Sequence, residues 1–171
     1  MKLTIEEKNE LEQIYQEFLN NKKILKMKEI PMHRGSNCYE HSFKVAKLAI
    51  HRGLRHKNVN LKAILVASIL HDYYLYDWRK DDLKKKGHGN KHPYIAANNA
   101  KDDFGIDEQV SKIIKSHMWP LNIKEFPNST EARIVSLADK HVATVEFSSS
   151  KKYKENKREK YLDNISSLFA K

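Results

Sequence analysis

The ten residues from Leu61 to Leu70 (LKAILVASIL) are apolar on nearly every side and run directly into the dipeptide His71-Asp72. A helix with no polar stripe has no face to give to water, so it must sit at the centre of a fold and be wrapped by other elements. The ionisable pair at its end is thereby carried toward the interior, where an unpaired charge is very costly. The run is far shorter than the roughly 20 apolar residues that span a bilayer, which makes it a core element of a globule.

The rest of the chain supplies the wrapping helices. Thr4 with Glu7 three residues on is a capping-box pattern, and Leu11, Ile14, Tyr15, Phe18 and Leu19 share one face of a first helix ending near Asn20-Asn21. Ser36 or Asn37 opens a second helix, which carries His41 and is closed by Gly53. Asn60 caps the central helix, read as LKAILVASILHDYYLYD with His71 and Asp72 in its C-terminal part. The polar, Gly-containing stretch from Trp78 to Lys91 reads as a mobile loop able to act as a lid. Pro93 fits the first turn of a fourth helix that ends at Phe104-Gly105, which puts His92 at its entrance. Asp107 caps a fifth helix with His117 in its last turn, and Ser129 or Thr130 opens a sixth that runs through Asp139 to about Phe147.

Beyond a polar tail, Leu162, Ile165, Leu168 and Phe169 recur at helical spacing and predict a packed last helix over about residues 150–170. The predicted fold class is all-α, a bundle of about six to seven helices in one domain over residues 1–171. Low Gly and Pro content, 5 and 4 residues in 171, supports ordered helices over sheet or disorder.

A single cysteine, Cys38, rules out an internal disulfide framework, and the charged start MKLTIEEKNE lacks the apolar core of a signal peptide. The expected location is therefore the cytoplasm, away from any membrane. The net charge of +10 favours an anionic partner. It comes mostly from scattered Lys, with Arg only six times, so a small anionic substrate is expected in preference to nucleic acid. Nothing in the sequence indicates an oligomeric state.

Six ionisable residues stand where apolar ones belong. His41 shares a face with Val45 and Leu48; Ile64 and Ala67 precede His71 by seven and four; His117 follows Val110, Ile113 and Ile114; Asp139 lies between Val135 and Val142. His92 and Asp72 complete the set. One such histidine is usually a hydrogen-bonded core residue. Four imidazoles and two carboxylates aimed inward from five helices require a cation, and a mixture of imidazole and carboxylate without thiolate suits Fe, Mn, Co, Ni or catalytic Zn.

Read in order as YEHS, ILHDYY, KHPYIAANNA, KSHMWP and SLADKH, these residues form the pattern H…HD…H…H…D. The pattern resembles the HD superfamily of helical metal-dependent phosphohydrolases, and the local strings are similar to small bacterial HD-domain proteins over roughly residues 32–144. The resemblance implies one metal held by His41, His71, Asp72 and Asp139. It implies a second held by His92 and His117, with Asp72 bridging to it and taking part in catalysis. Two divalent ions about 3.5 to 4 Å apart would then activate a water as hydroxide and polarise a phosphoryl oxygen. The implied substrate is a nucleotide or another small phosphate ester or anhydride.

The chain departs from two subgroups of the superfamily. Some members carry an acid shortly after HD, and others read HDxGK; here the latter's Lys position is Leu75. The proton donor to the leaving group is thus open, between Asp77 and a metal-bound water, with loop capping the competing reading of Asp77. For phosphate contacts the candidates are Arg34, just before the His41 helix, then Arg79 and Lys140. Tyr73, Tyr74, Tyr76 and Trp78 are candidates to stack a base or simply to pack. His51, His56 and His141 read as surface residues, while His33 and His88 are unassigned, the candidate roles of His88 being contact with substrate or replacement of His92. Two other functions fit the same ligands: a mixed-valent diiron oxygenase, and a non-catalytic metal- or nucleotide-binding regulatory module.

Overall fold

The computed structural model describes residues 3–32, 35–80, 86–148 and Ser167. Among them it is all-α. The helices are α1 (Ile5–Leu19), α2 (Lys22–Leu25) with a following 3-10 turn (Lys26–Glu29), and α3 (Cys38–Gly53). They continue with α4 (Leu61–Leu70), α5 (His88–Phe104), α6 (Glu108–Ser116) and α7 (Thr130–Ser148). The expected helical bundle of six to seven helices is what forms. Arg34, His33 and the expected helix over 150–170 lie outside the described residues, Ser167 aside.

The starts follow the capping chemistry. Thr4 Oγ1 accepts from the Glu7 N–H at 3.1 Å, while the Glu7 carboxylate accepts the Thr4 N–H at 2.7 Å, a complete capping box. Asn37, Asn60, Asp107 and Ser129 accept the backbone N–H of Glu40, Ala63, Val110 and Ala132 respectively. Gly105 ends α5 with φ +62°, a left-handed conformation that costs glycine nothing.

Helix α4 is the axle of the bundle, packed against α1, α3, α5, α6 and α7. Eight of its ten residues are buried, as an all-apolar helix requires. Phe43, Ala46 and Ile50 of α3, Ile113 and Ile114 of α6, and Val135 and Ala138 of α7 close around it.

Two boundaries differ from the sequence expectation. Helix α4 stops at Leu70, so His71 is its C-cap and Asp72 lies in the turn beyond, not within a helix running to Asp77. The backbone there is captured by tertiary partners: Cys38 Sγ donates to the Asp72 carbonyl at 3.1 Å and Asn99 Nδ2 to the Tyr73 carbonyl at 3.0 Å. Leu75 then takes φ +55° and packs on the core. This uncommon left-handed conformation for a branched residue turns the chain away.

The second difference is the start of α5 at His88, five residues ahead of Pro93. Pro93 stands inside the helix, where its missing N–H leaves the Gly89 carbonyl without its usual i+4 donor. The loop read from Trp78 to Lys91 is shorter by its last four residues, and its residues 81–85 lie outside the described set.

Candidate metal centre

The six residues singled out by their positions in the sequence come together at one end of α4, all of them buried. His41 comes from α3, His71 and Asp72 from the end of α4, His92 from α5, His117 from the end of α6 and Asp139 from α7. Three overlapping groups each place their ligand atoms within 4.8 Å of one another: His41, His71 and Asp72; His71, His117 and Asp139; Asp72, His92 and His117.

The histidine tautomers show what the cluster is arranged to receive. His71 Nδ1 lies 2.7 Å from the Ser68 carbonyl, His117 Nδ1 2.7 Å from the Ile114 carbonyl and His92 Nδ1 2.9 Å from the His88 carbonyl. A carbonyl only accepts, so in each case Nδ1–H donates and a neutral ring keeps its lone pair on Nε2. Those three Nε2 atoms converge. His92 Nε2 and His117 Nε2 are 3.0 Å apart, and Asp72 Oδ1 is 3.2 Å from the first and 3.8 Å from the second. His71 Nε2 stands 3.4 Å from Asp72 Oδ2 and 3.5 Å from Asp139 Oδ1, is fully buried, and makes no hydrogen bond. With these three Nε2 atoms gathered on two buried carboxylates the cluster needs positive charge. Without metal this is a proton on His71, which, against burial, Asp72 and Asp139 hold well above its ordinary value. With metal it is the cation itself, for which the freed Nε2 atoms and carboxylates make a good donor set. The residues present therefore fit divalent metal.

Asp72 occupies the middle, with Oδ2 toward His71 and Oδ1 toward His92 and His117. Burial opposes its charge, but His71 and His92 outweigh this and hold its carboxyl well below the usual carboxylate range. His117 goes the other way: burial, then repulsion from His71 and His92, brings it down to about 3 and keeps the ring neutral.

His41 is held differently. Its Nε2 is 3.0 Å from Asp139 Oδ1 and its Nδ1 is 2.9 Å from Glu146 Oε2. Burial works against charge on this ring, yet hydrogen bonds to Asp139 and Glu146 prevail and raise it to about 9. Glu146 is itself buried, with Lys44 Nζ on its other oxygen at 2.8 Å and Ser36 Oγ donating at 3.2 Å. Sequence reasoning passed over Glu146. The signal was present: Val135, Asp139, Val142 and Glu146 repeat at spacings of four, three and four, so Glu146 extends the inward face that carries Asp139.

Compared with known protein families, residues 38–144 match the HD domain, a span of more than half the chain that contains all six clustered residues. The chain belongs to the HD-domain family. No curated protein and no solved structure matches the chain significantly. As an HD domain it falls in a class of metal-dependent phosphohydrolase type, and its clustered His and Asp groups are of the kind that bind divalent metal.

A cavity of about 590 Å³ opens this HD domain at the His and Asp cluster, with Asp72, His92, His117 and Asp139 in its wall. Met32, Met118, Pro120, Leu121 and Ala143 give it apolar sides, and Tyr74, Trp78, Arg79, His88 and Lys140 complete them. Arg79 directs its Nη1 and Nη2 to the carbonyls of Pro31 and Met32 and lies over the Trp78 ring. Lys140 is half-buried, its ammonium bonded to the His117 carbonyl at 2.8 Å and Ser136 Oγ at 2.7 Å. Asp77 accepts from the Arg79 N–H at 3.1 Å, capping its own loop, and is not in the cavity wall.

The aromatic cluster divides. Tyr73 goes to the core, where its hydroxyl donates to Asp103 at 2.8 Å. Tyr74, Tyr76 and Trp78 gather around His88, which burial and then repulsion from His92 bring down to about 4. His51, His56 and His141 are exposed and away from the cluster. No described helix is long and apolar enough to cross a membrane.

Proposed function

We propose that this HD domain is a phosphohydrolase with two divalent transition-metal ions, acting on a nucleotide or another small phosphate ester or anhydride. The observation that carries this reading is the convergence of the Nε2 atoms of His71, His92 and His117 on the two oxygens of Asp72. In the proposal, His41, His71, Asp72 and Asp139 would hold one ion, and Asp72, His92 and His117 would hold the other. A metal pair so bound supplies a nucleophilic hydroxide at neutral pH and Lewis acidity toward a phosphoryl oxygen.

The chain's own residues do the rest. The Nδ1–H bonds to the Ser68, Ile114 and His88 carbonyls fix three imidazole planes so that Nε2 presents a lone pair without reorganisation. Arg79 and Lys140 place positive charge on the cavity wall, which suits an anionic substrate, and the apolar sides thin the water around the reacting bond. Arg34 is retained as a candidate phosphate contact from its place before α3.

The test is phosphate release by the chain loaded in turn with Fe, Mn, Co, Ni and Zn, against nucleotides and small phosphate esters. Turnover with at least one metal, abolished by chelation and by Asp72→Asn, is expected. Protein carrying two ions that releases phosphate from none of them would reject hydrolysis, and substrate-dependent oxygen uptake by the iron form would point to an oxygenase instead.

A further inference from the structure

His88 stands in the wall of the same cavity as Asp72, His92 and His117, with Tyr74 edge-on to its ring at 5.0 Å and three further residues holding it. One face stacks on His92, with ring centroids 4.6 Å apart at 24°. The Trp78 indole stacks on it as well, 5.1 Å away at 18°, and the Tyr76 hydroxyl lies 2.9 Å from Nδ1. An imidazole nitrogen is a far better acceptor than a phenol oxygen, so Tyr76 O–H donates and the neutral ring carries its proton on Nε2. That N–H meets no acceptor among the described residues.

Most other polar groups of the wall are engaged. Lys140 directs its ammonium to the His117 carbonyl, Ser136 Oγ and the Ser136 carbonyl. The Tyr74 hydroxyl points to Met32 Sδ at 3.5 Å, and Arg79 Nη1 and Nη2 are on backbone carbonyls. His88 thus presents a prepared, uncommitted donor whose ring rests directly on His92.

We infer that His88 is a substrate-contacting residue whose Nε2–H donates to a phosphoryl oxygen of the substrate, with Tyr76 fixing the tautomer and Trp78 the ring plane. This rests on the hydrolytic reading above. It gives the site a donor at a place that neither Leu75, packed on the core, nor Asp77, capping its loop, can serve.

Inorganic phosphate is the probe, titrated calorimetrically into the manganese-loaded full chain while metal content is measured alongside. His88→Phe keeps a ring for the stack and removes both nitrogens. Its phosphate affinity is expected to fall about tenfold with metal content unchanged. His88→Gln, which keeps an N–H donor, should recover part of the loss, and Tyr76→Phe should give an intermediate value. Unchanged phosphate affinity in His88→Phe would overturn the inference while leaving the hydrolytic reading intact. Loss of a metal ion in His88→Phe would overturn it too, by showing that His88 acts through His92. Failure of the unaltered metal-loaded protein to bind phosphate would sink both.

Discussion

His41 Nδ1 and Glu146 Oε2 lie 2.9 Å apart across the α3–α7 contact, although 105 residues separate them in the chain. The carboxylate fixes which ring nitrogen holds the proton and leaves Nε2 to face Asp139. Glu146→Gln should retain the shape and lose the charge that makes His41 a strong donor. Metal affinity is then expected to fall about 10- to 100-fold at one of two sites, read by competitive titration with a chelating dye. Two unaltered binding steps would show that Glu146 serves only to pair Lys44.

The same pair sets a pH response in the metal-free protein. His41 is raised from 6.5 to about 9, so its contribution to stability is complete below pH 6.5 and is lost as pH rises toward 9. Glu146 is lowered from 4.5 to about 2, burial opposing but His41 prevailing, so its contribution is present above pH 4.5 and lost as pH falls toward 2. Thermal unfolding without metal should therefore peak between those limits. Metal must displace the His41 proton from Nε2, so affinity should rise about tenfold per pH unit between 6.5 and 9. A flat metal affinity over that range would remove His41 from the ligand set.

His92→Ala should leave one metal ion per chain and a folded protein, because the His41, His71 and Asp139 side of the cluster does not touch it. Elemental analysis after gel filtration gives the count. Retention of two ions would mean that His92 is not a ligand. Loss of both would mean that the two positions fill only together.

Gly53 ends α3 against α4, and a Cβ added there would come within 2.6 Å of Leu61 Cδ2 and 3.1 Å of Ile64 Cδ1. Both neighbours are buried. Gly53→Ala should cost about 1–3 kcal/mol by overpacking, measured as a lowered urea midpoint with unchanged slope.

Much of this was legible in the sequence because it is written in local chemistry. Thr4, Asn37, Asn60, Asp107 and Gly105 act on backbone groups within a few residues of themselves, so helix limits set by them were found. The clustered residues were singled out because four of them, His41, His71, His117 and Asp139, break an apolar stripe at helical spacing. Most of what escaped depends on partners far away in the chain. Nothing within LKAILVASILHDYYLYD breaks a helix; it ends at Leu70 where Cys38 and Asn99 bind the backbone beyond it. Pro93 suggested a helix start, but the Gly87 turn and the packing of His88 on Trp78 and His92 begin α5 earlier. Glu146 lay on the Asp139 face all along, yet its role appears only when α3 docks.

Three of the four clustered histidines take their Nδ1 partner from three or four residues upstream in their own chain segment, at Ser68, His88 and Ile114. Their rings are aimed as soon as those segments coil. The fourth, His41, is aimed only when α7 arrives with Glu146. The two sides of the cluster are therefore aimed differently: the His92 and His117 side by partners within their own segments, the His41 side only by the contact of α3 with α7, where it doubles as a latch on the bundle. A metal ion seated there would record that the first and last described long helices of the HD domain have found each other.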